Sequence, residues 1–132
     1  MAERYLPKDK RLLPHEEEEQ IKLFNWAASH EWEYAELKMM FHIPNGGKRG
    51  KAEAARFKAQ GVKAGVPDIF LAAPHGGYHG LFIELKRIAG GRCTAEQKEW
   101  IRELSAQGYM AVRANGWEEA REYIRDYLEL DR

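Results

Sequence analysis

Hydrophobic residues recur at helical spacing in several segments of the chain and predict amphipathic helices there. The first helix covers residues 16–30, and its acidic start suits the positive end of a helix. A second, alanine-rich helix is predicted over residues 51–60, with Gly61 as its stop. A third begins at the capping-box sequence Thr94-x-x-Gln97 and ends at Gly108. The last follows Asn115-Gly116 and continues the pattern to the C-terminus.

Short apolar runs between these segments predict four strands. The first, residues 39–43, is stopped by a turn sequence that begins at Pro44. Residues 68–73 and 81–87 flank a glycine-containing loop and are typical of a β-hairpin, and residues 109–114 form the fourth run. The order is therefore α-β-α-β-β-α-β-α. This order predicts an α/β fold with a mixed central sheet flanked by helices.

Length and composition limit the class of protein. The 132 residues and 15.3 kDa favour one domain, which we place at residues 15–132 after a flexible, proline-containing arm at residues 1–14. The single cysteine excludes an internal disulfide and a multi-cysteine zinc site. We expect no membrane segment, because no run of eighteen apolar residues occurs. The N-terminus has no apolar signal core, so we expect a cytoplasmic, intracellular location.

Charge is balanced overall but unevenly distributed. The chain has 21 basic and 21 acidic residues, which argues against a general nucleic-acid coat protein. Residues 45–63, however, hold six basic residues and one acidic residue. A local basic stretch of this kind can contact a polyanion, and it can equally be a solvated helix face. Charge alone leaves both interpretations open.

Two acidic residues lie where the predicted hairpin would bring them together. If residue 73 pairs with residue 79, Asp68 lies directly opposite Glu84, with Cβ atoms about 5 Å apart. Carboxylates that close repel each other unless a cation or a proton lies between them. Lys86 points to the same face as Glu84. Such a set suits metal-dependent phosphodiester hydrolysis, whereas the alternative is an ordinary surface pair of Glu84 and Lys86.

The residues around this pair resemble the signature of the PD-(D/E)xK nucleases, and more closely the VRR-NUC domain. The matching segments are Gly65-Val66-Pro67-Asp68-Ile69-Phe70 and Gly80-Leu81-Phe82-Ile83-Glu84-Leu85-Lys86. Further segments fit in the same order: His42 to Arg49, Ala59-Gln60-Gly61-Val62, Gln97-Lys98-Glu99-Trp100 and Gly108-Tyr109. The resemblance covers about residues 15–128. It implies a restriction-endonuclease-like αβββαβ core and a DNA-cleaving activity.

The resemblance also implies roles for individual residues. Asp68 and Glu84, with the backbone carbonyl of Leu85, would be metal ligands for Mg²⁺, for which Mn²⁺ would substitute. Lys86 would position the attacking water, and Gln97 would support the site. An acidic residue of the first helix would complete the ligands. We choose Glu16 because it shares a helix face with Gln20, and Glu17 is the alternative.

The same resemblance implies a DNA surface and an assembly. The expected DNA contacts are Asn45, Gly46, Gly47, Lys48 and Arg49, with Lys58 as a weaker candidate. Stand-alone members of this length resemble phage-encoded enzymes that cut branched DNA such as four-way (Holliday) junctions. The resemblance to these stand-alone members also implies a homodimer. The four tryptophans and six tyrosines agree with this, because aromatic residues are enriched at subunit interfaces.

Other functions stay open at this point. The chain has no Walker glycine loop, so we expect no nucleotide cofactor. A non-catalytic DNA-binding module that retains the nuclease fold is the main alternative, and a structural metal-binding domain is another. The intact set of Asp68, Glu84 and Lys86 favours the nuclease.

Overall fold

The computed structural model describes residues 4–44, 50–89 and 91–131. The helices are α1 (Glu16–Ser29), α2 (Lys51–Ala59), α3 (Ala95–Ala106) and α4 (Trp117–Glu129). The strands are β1 (Met40–His42), β2 (Ile69–Leu71), β3 (Leu81–Lys86) and β4 (Met110–Asn115). Short 3₁₀ turns occupy Lys10–Leu12 and Ala35–Met39. Every helix in this described part is too short or too polar to span a lipid bilayer.

The strands form one mixed sheet in the order β1-β2-β3-β4. β1 pairs antiparallel with β2, and β2 pairs antiparallel with β3. β3 and β4 are parallel, which requires a crossover, and α3 provides it. The predicted mixed α/β fold with an αβββαβ core is thus confirmed, with α2 inserted between β1 and β2. The predicted hairpin register is also confirmed, because Ile69 pairs with Ile83.

One face of the sheet, which we call the core face, is completely buried on its two central strands, β2 and β3. Its side chains on β2 and β3 have no solvent exposure and are Ile69, Leu71, Leu81, Ile83 and Leu85. Helices α1 and α4 cover this face and contribute apolar side chains that include Leu23, Ile124 and Leu128. The hydrophobic core of the domain therefore lies in the layer between α1, α4 and the sheet.

The opposite face, which we call the open face, carries the even-numbered residues of β2 and β3, because side chains alternate along a strand. These residues are Phe70, Phe82, Glu84 and Lys86. Phe70 and Phe82 stack with their ring centroids 4.2 Å apart and are only partly buried. Helix α3 lies over this face, since Gln97 reaches both Glu84 and Lys86. Neither α2 nor α3 has a fully buried residue among those described.

The segment before α1 contacts the domain at several points. The guanidinium of Arg87 donates to the backbone carbonyls of Pro14 and Leu13, at 3.1 and 3.0 Å. Arg4 forms ion pairs with Glu19 and Glu118, at 2.8 and 3.1 Å. The boundary near residue 15 and the flexibility of the arm stay predictions.

Candidate active site

Three carboxylates converge at one end of the sheet. Glu16 comes from the first turn of α1, Asp68 from the residue before β2, and Glu84 from β3. One ligand atom from each of them lies within 4.8 Å of the other two. Asp68 is 9% exposed, Glu84 is 1% exposed, and Glu16 is half-buried. The cluster is therefore a largely desolvated group of oxygen donors.

Asp68 is held by both neighbouring strands. Its Oδ2 accepts a hydrogen bond from the backbone N–H of Leu85 at 2.9 Å. Its backbone oxygen accepts from the N–H of Ile43 at 2.6 Å. Pro67, which precedes it, is buried and has no N–H that would need a partner in the sheet. The position of the carboxylate is thus set by the backbone of β3 and by the segment that follows β1.

Lys86 and Gln97 connect the carboxylates to α3. The ammonium of Lys86 donates to Gln97 Oε1 at 3.0 Å and lies 3.2 Å from Glu84 Oε2. Gln97 Nε2 donates to the same Glu84 oxygen at 3.3 Å. Gln97 Oε1 also accepts from the N–H of Thr94 at 2.8 Å, and the capping box predicted from the sequence is present. Gln97 therefore caps the helix and orients two site residues at once.

The electrostatics of the cluster favour a cation. Burial and, to a smaller extent, the neighbouring Asp68 together raise the pKa of Glu84 to about 8, against the opposing effect of Lys86. Burial also raises the pKa of Glu16, and Asp68 again adds to the effect. Glu84 Oε1 is buried without a hydrogen-bond partner. A divalent cation would satisfy this oxygen and offset the repulsion, and an all-oxygen donor set suits a hard ion.

The structure brings most of the predicted site residues together. Glu16, Asp68, Glu84, Leu85, Lys86 and Gln97 all lie at this end of the sheet. Glu17, the alternative to Glu16, is exposed on α1. Lys58 is exposed on α2. The predicted DNA contacts Asn45, Gly46, Gly47, Lys48 and Arg49 lie outside the described residues.

Two residues near the site, His42 and Glu19, were not assigned a role from the sequence. His42 lies at the end of β1 with its Nδ1 2.9 Å from the backbone oxygen of Asp68. Glu19 is fully buried and pairs with Arg4, whereas the sequence explained the acidic helix start by the helix dipole alone. Glu19 follows Glu16 by three residues, so both lie on one helix face. This spacing is the sequence signal that could have identified Glu19.

Comparisons with known proteins agree with this geometry. The family model of the VRR-NUC domain matches residues 7–117. A solved structure described as a VRR_NUC domain protein is 35% identical, with a TM-score of 0.77, over 89% of this chain and 91% of that chain. Among curated proteins, none matches significantly. Because the family match spans most of the chain and the solved relative shares its fold, the chain belongs to the VRR-NUC family of nuclease domains.

Proposed function

We propose that this protein is a Mg²⁺-dependent, structure-selective DNA endonuclease that hydrolyses phosphodiester bonds. The observation that carries the proposal is the convergence of Glu16, Asp68 and Glu84 within 4.8 Å, beside the ammonium of Lys86. Oxygen donors next to a fixed cation are the groups that phosphodiester hydrolysis needs. Membership of a nuclease domain family agrees with this chemistry.

The three carboxylates would hold the metal, together with the backbone carbonyl of Leu85. Mg²⁺ suits a site of oxygen ligands, and Mn²⁺ accepts the same donors. When bound, the ion polarises the phosphoryl oxygen and lowers the pKa of water. The unpartnered oxygen of Glu84 supports this assignment, because a buried carboxylate oxygen without a partner is costly unless a ligand satisfies it.

Lys86 would orient the attacking water and offset the negative charge that develops on the phosphate. Its side chain is 10% exposed, so its position is restricted by its neighbours. Gln97 fixes the ammonium from one side, and the capping box in turn fixes Gln97. The role of Gln97 is therefore to keep Lys86 and Glu84 in place. The chain offers carboxylates and an ammonium for direct attack by water, so we propose hydrolysis without a covalent intermediate.

The proposed substrate is branched DNA, such as a four-way junction. Lys58 and the predicted contacts from Asn45 to Arg49 would bind phosphates, which positions DNA without reading its sequence. We also propose a homodimer, because it would present two sites related by a twofold axis that matches the twofold symmetry of a four-way junction. Light scattering would detect the dimer. An intracellular location and a phage origin stay predictions from the sequence.

The test is cleavage of labelled duplex, flap and four-way junction DNA in Mg²⁺ and in EDTA. We expect the wild type to cut branched DNA in Mg²⁺ alone. Asp68→Asn should bind DNA without cutting it, since asparagine keeps the acceptor for the Leu85 N–H. Binding by the wild type without any cleavage would indicate a non-catalytic module. Equal cleavage of all three DNAs in EDTA would contradict the proposal.

A further inference from the structure

A surface pocket of about 370 Å³ lies between β1, the segment after α2, and α3. Its wall is mostly apolar, with Ile43, Val62, Val66 and the indole of Trp100, and Lys63 is the cation of the lining. The volume falls in the range of pockets that take small organic ligands. None of the roles described above uses this pocket.

The pocket shares its walls with the carboxylate site. Ile43 donates its backbone N–H to the backbone oxygen of Asp68 at 2.6 Å, and Val66 precedes Asp68 by two positions. Trp100 follows Gln97 by three positions on α3, so the two share a face, about 4.5 Å apart along the helix axis. The pocket therefore adjoins both Asp68 and the helix that carries Gln97. A strand held at the carboxylates would have a neighbouring nucleotide beside the pocket.

Trp100 is fixed in an orientation that suits stacking. Its indole N–H donates to the backbone oxygen of Ala64 at 3.1 Å, and the side chain is half-buried. An N–H bond lies in the plane of the ring, so this contact holds the ring by its edge. The two faces of the indole take no part in that bond, and flat aromatic rings stack on such faces.

We propose that this pocket binds a single unstacked nucleobase of the DNA strand held at the carboxylates. The proposal rests on the proposed nuclease function and concerns its substrate selection. Unpaired bases stack on aromatic side chains in proteins that bind single strands, and the apolar walls would desolvate the rest of the base. Lys63 has the charge to bind the adjoining phosphate.

The pocket would select branched DNA over duplex. A base inside an intact duplex must lose its pairing and its stacking on both sides before it can enter, whereas a base at a branch point can lack a stacking neighbour on one side. The energetic cost of entry is therefore lowest at the branch. The enzyme would then recognise a nucleotide beside the scissile phosphate that unpairs readily, without reading the DNA sequence.

The test is a scan with abasic nucleotides, using the full-length protein. Each nucleotide near the branch of a four-way junction is replaced in turn by an abasic nucleotide, and binding is measured by fluorescence anisotropy in Ca²⁺. One position should weaken wild-type binding about tenfold, since base stacking contributes that much or more. This part of the experiment needs no variant.

Two matched variants then locate the effect in the pocket. Val62→Phe places a ring in the pocket and keeps the backbone N–H that bonds Phe57. It should weaken binding of intact DNA about tenfold and lose the sensitivity to the abasic position. Ile21→Phe adds the same ring to the exposed surface of α1 and should behave as the wild type.

The proposal is overturned if the wild type does not bind the junction, or if no abasic position matters by more than twofold. It is also overturned if Val62→Phe weakens intact and abasic DNA equally. Because binding in Ca²⁺ needs no hydrolysis, the two proposals fail separately. An abasic effect without cleavage in Mg²⁺ would support the pocket and reject the nuclease, and cleavage without an abasic effect would do the reverse.

Discussion

The two faces of the sheet differ in chemistry although the same strands form both. On the core face, Leu71 and Ile83 are fully buried in the hydrophobic core to which α1 and α4 contribute. On the open face, the neighbouring residues Phe70 and Phe82 are only partly covered, and the buried groups near α3 are charged. Because side chains alternate along a strand, neighbouring residues fall either in a fully buried apolar layer or in a partly covered layer that also holds the charged groups.

The two faces therefore have different roles. The core face stabilises the fold, and the open face carries the charged groups of the candidate site. Apolar burial under α1 and α4 stabilises the fold, because each buried apolar side chain contributes about 1.5–3 kcal/mol. The charged groups of the open face are costly to bury and keep their positions through one another, as Lys86 does between Glu84 and Gln97. Helix α1 joins the two regions, since Glu16 reaches the site while Leu23 packs in the core.

The largest expected effect is on the rate of DNA cleavage, through the charged residues of the open face. Lys86→Ala should lower the cleavage rate about 100- to 1000-fold, because it removes a fixed cation from the reacting phosphate. It should leave much of the Mn²⁺ affinity, which depends on the carboxylates. Glu84→Gln should weaken both cleavage and Mn²⁺ binding. Calorimetry with Mn²⁺ and a cleavage assay measure the two quantities, and a Lys86 variant that cuts normally would remove the lysine from the mechanism.

The next largest effect is on the free energy of unfolding, and it differs between two neighbouring residues of β2. Leu71→Ala on the core face should lower the free energy of unfolding by about 3 kcal/mol, through reduced burial and a cavity. Phe70→Ala on the open face should cost about 1.5 kcal/mol, because the ring is only partly covered. Urea denaturation measures both values. Equal losses would show that the two faces do not differ in their contribution to stability.

Much of this arrangement is predictable from local sequence. The prediction of a helix over residues 16–30 corresponds to Glu16–Ser29, and the capping box at Thr94 starts α3 as expected. The hairpin register also follows from the loop, because a short antiparallel connection leaves few pairings that keep β2 and β3 apolar on one face.

Contacts between distant segments could not be predicted in the same way. The sequence left Glu16 and Glu17 as alternatives, since the side of α1 that faces the sheet depends on how the helix packs. The burial of Glu19 depends on Arg4 and on the start of α4, which are far apart along the chain. The closeness of His42 to Asp68 requires the pairing of β1 with β2. Each of these features arises only when the sheet is assembled.

A smaller effect concerns DNA binding by the basic stretch. Replacing Lys48 and Arg49 together with alanine should lower the slope of log affinity against log salt by about 2, because each phosphate that a side chain no longer neutralises lowers it by about 1. Lys22→Ala, at an exposed position of α1, is the matched control and should leave the slope unchanged. The same decrease of slope in both variants would show that the basic stretch has no special role.

The smallest effect lies at the edge of the core layer, where His75 bridges Glu36 and Asp131 at 2.8 and 2.7 Å. Burial lowers the pKa of His75, but the hydrogen bonds to Asp131 and Glu36 outweigh burial and raise the pKa above its usual value. Its contribution to stability is therefore present below about pH 6.5 and is lost as the pH rises through the raised pKa.

The pH dependence of unfolding for the wild type and His75→Gln checks this prediction. The stability advantage of the wild type should shrink as the pH rises from about 6.5 through the raised pKa of His75. The comparison with the variant is needed because Glu84, with a pKa of about 8, titrates in the same window in both proteins. An advantage that is constant with pH would show that the charge of His75 does not stabilise the fold.

The most direct test of a metal-binding open face is the free energy of unfolding of the wild type and Asp68→Asn, measured in EDTA and in Mn²⁺. In EDTA, Asp68→Asn should be at least as stable as the wild type, because it reduces the repulsion among the three carboxylates. Mn²⁺ at about 100 times its dissociation constant should stabilise the wild type by about 2.7 kcal/mol and Asp68→Asn by much less. Equal stabilisation of both proteins by Mn²⁺, or none of the wild type, would contradict the assignment of a metal site to this face.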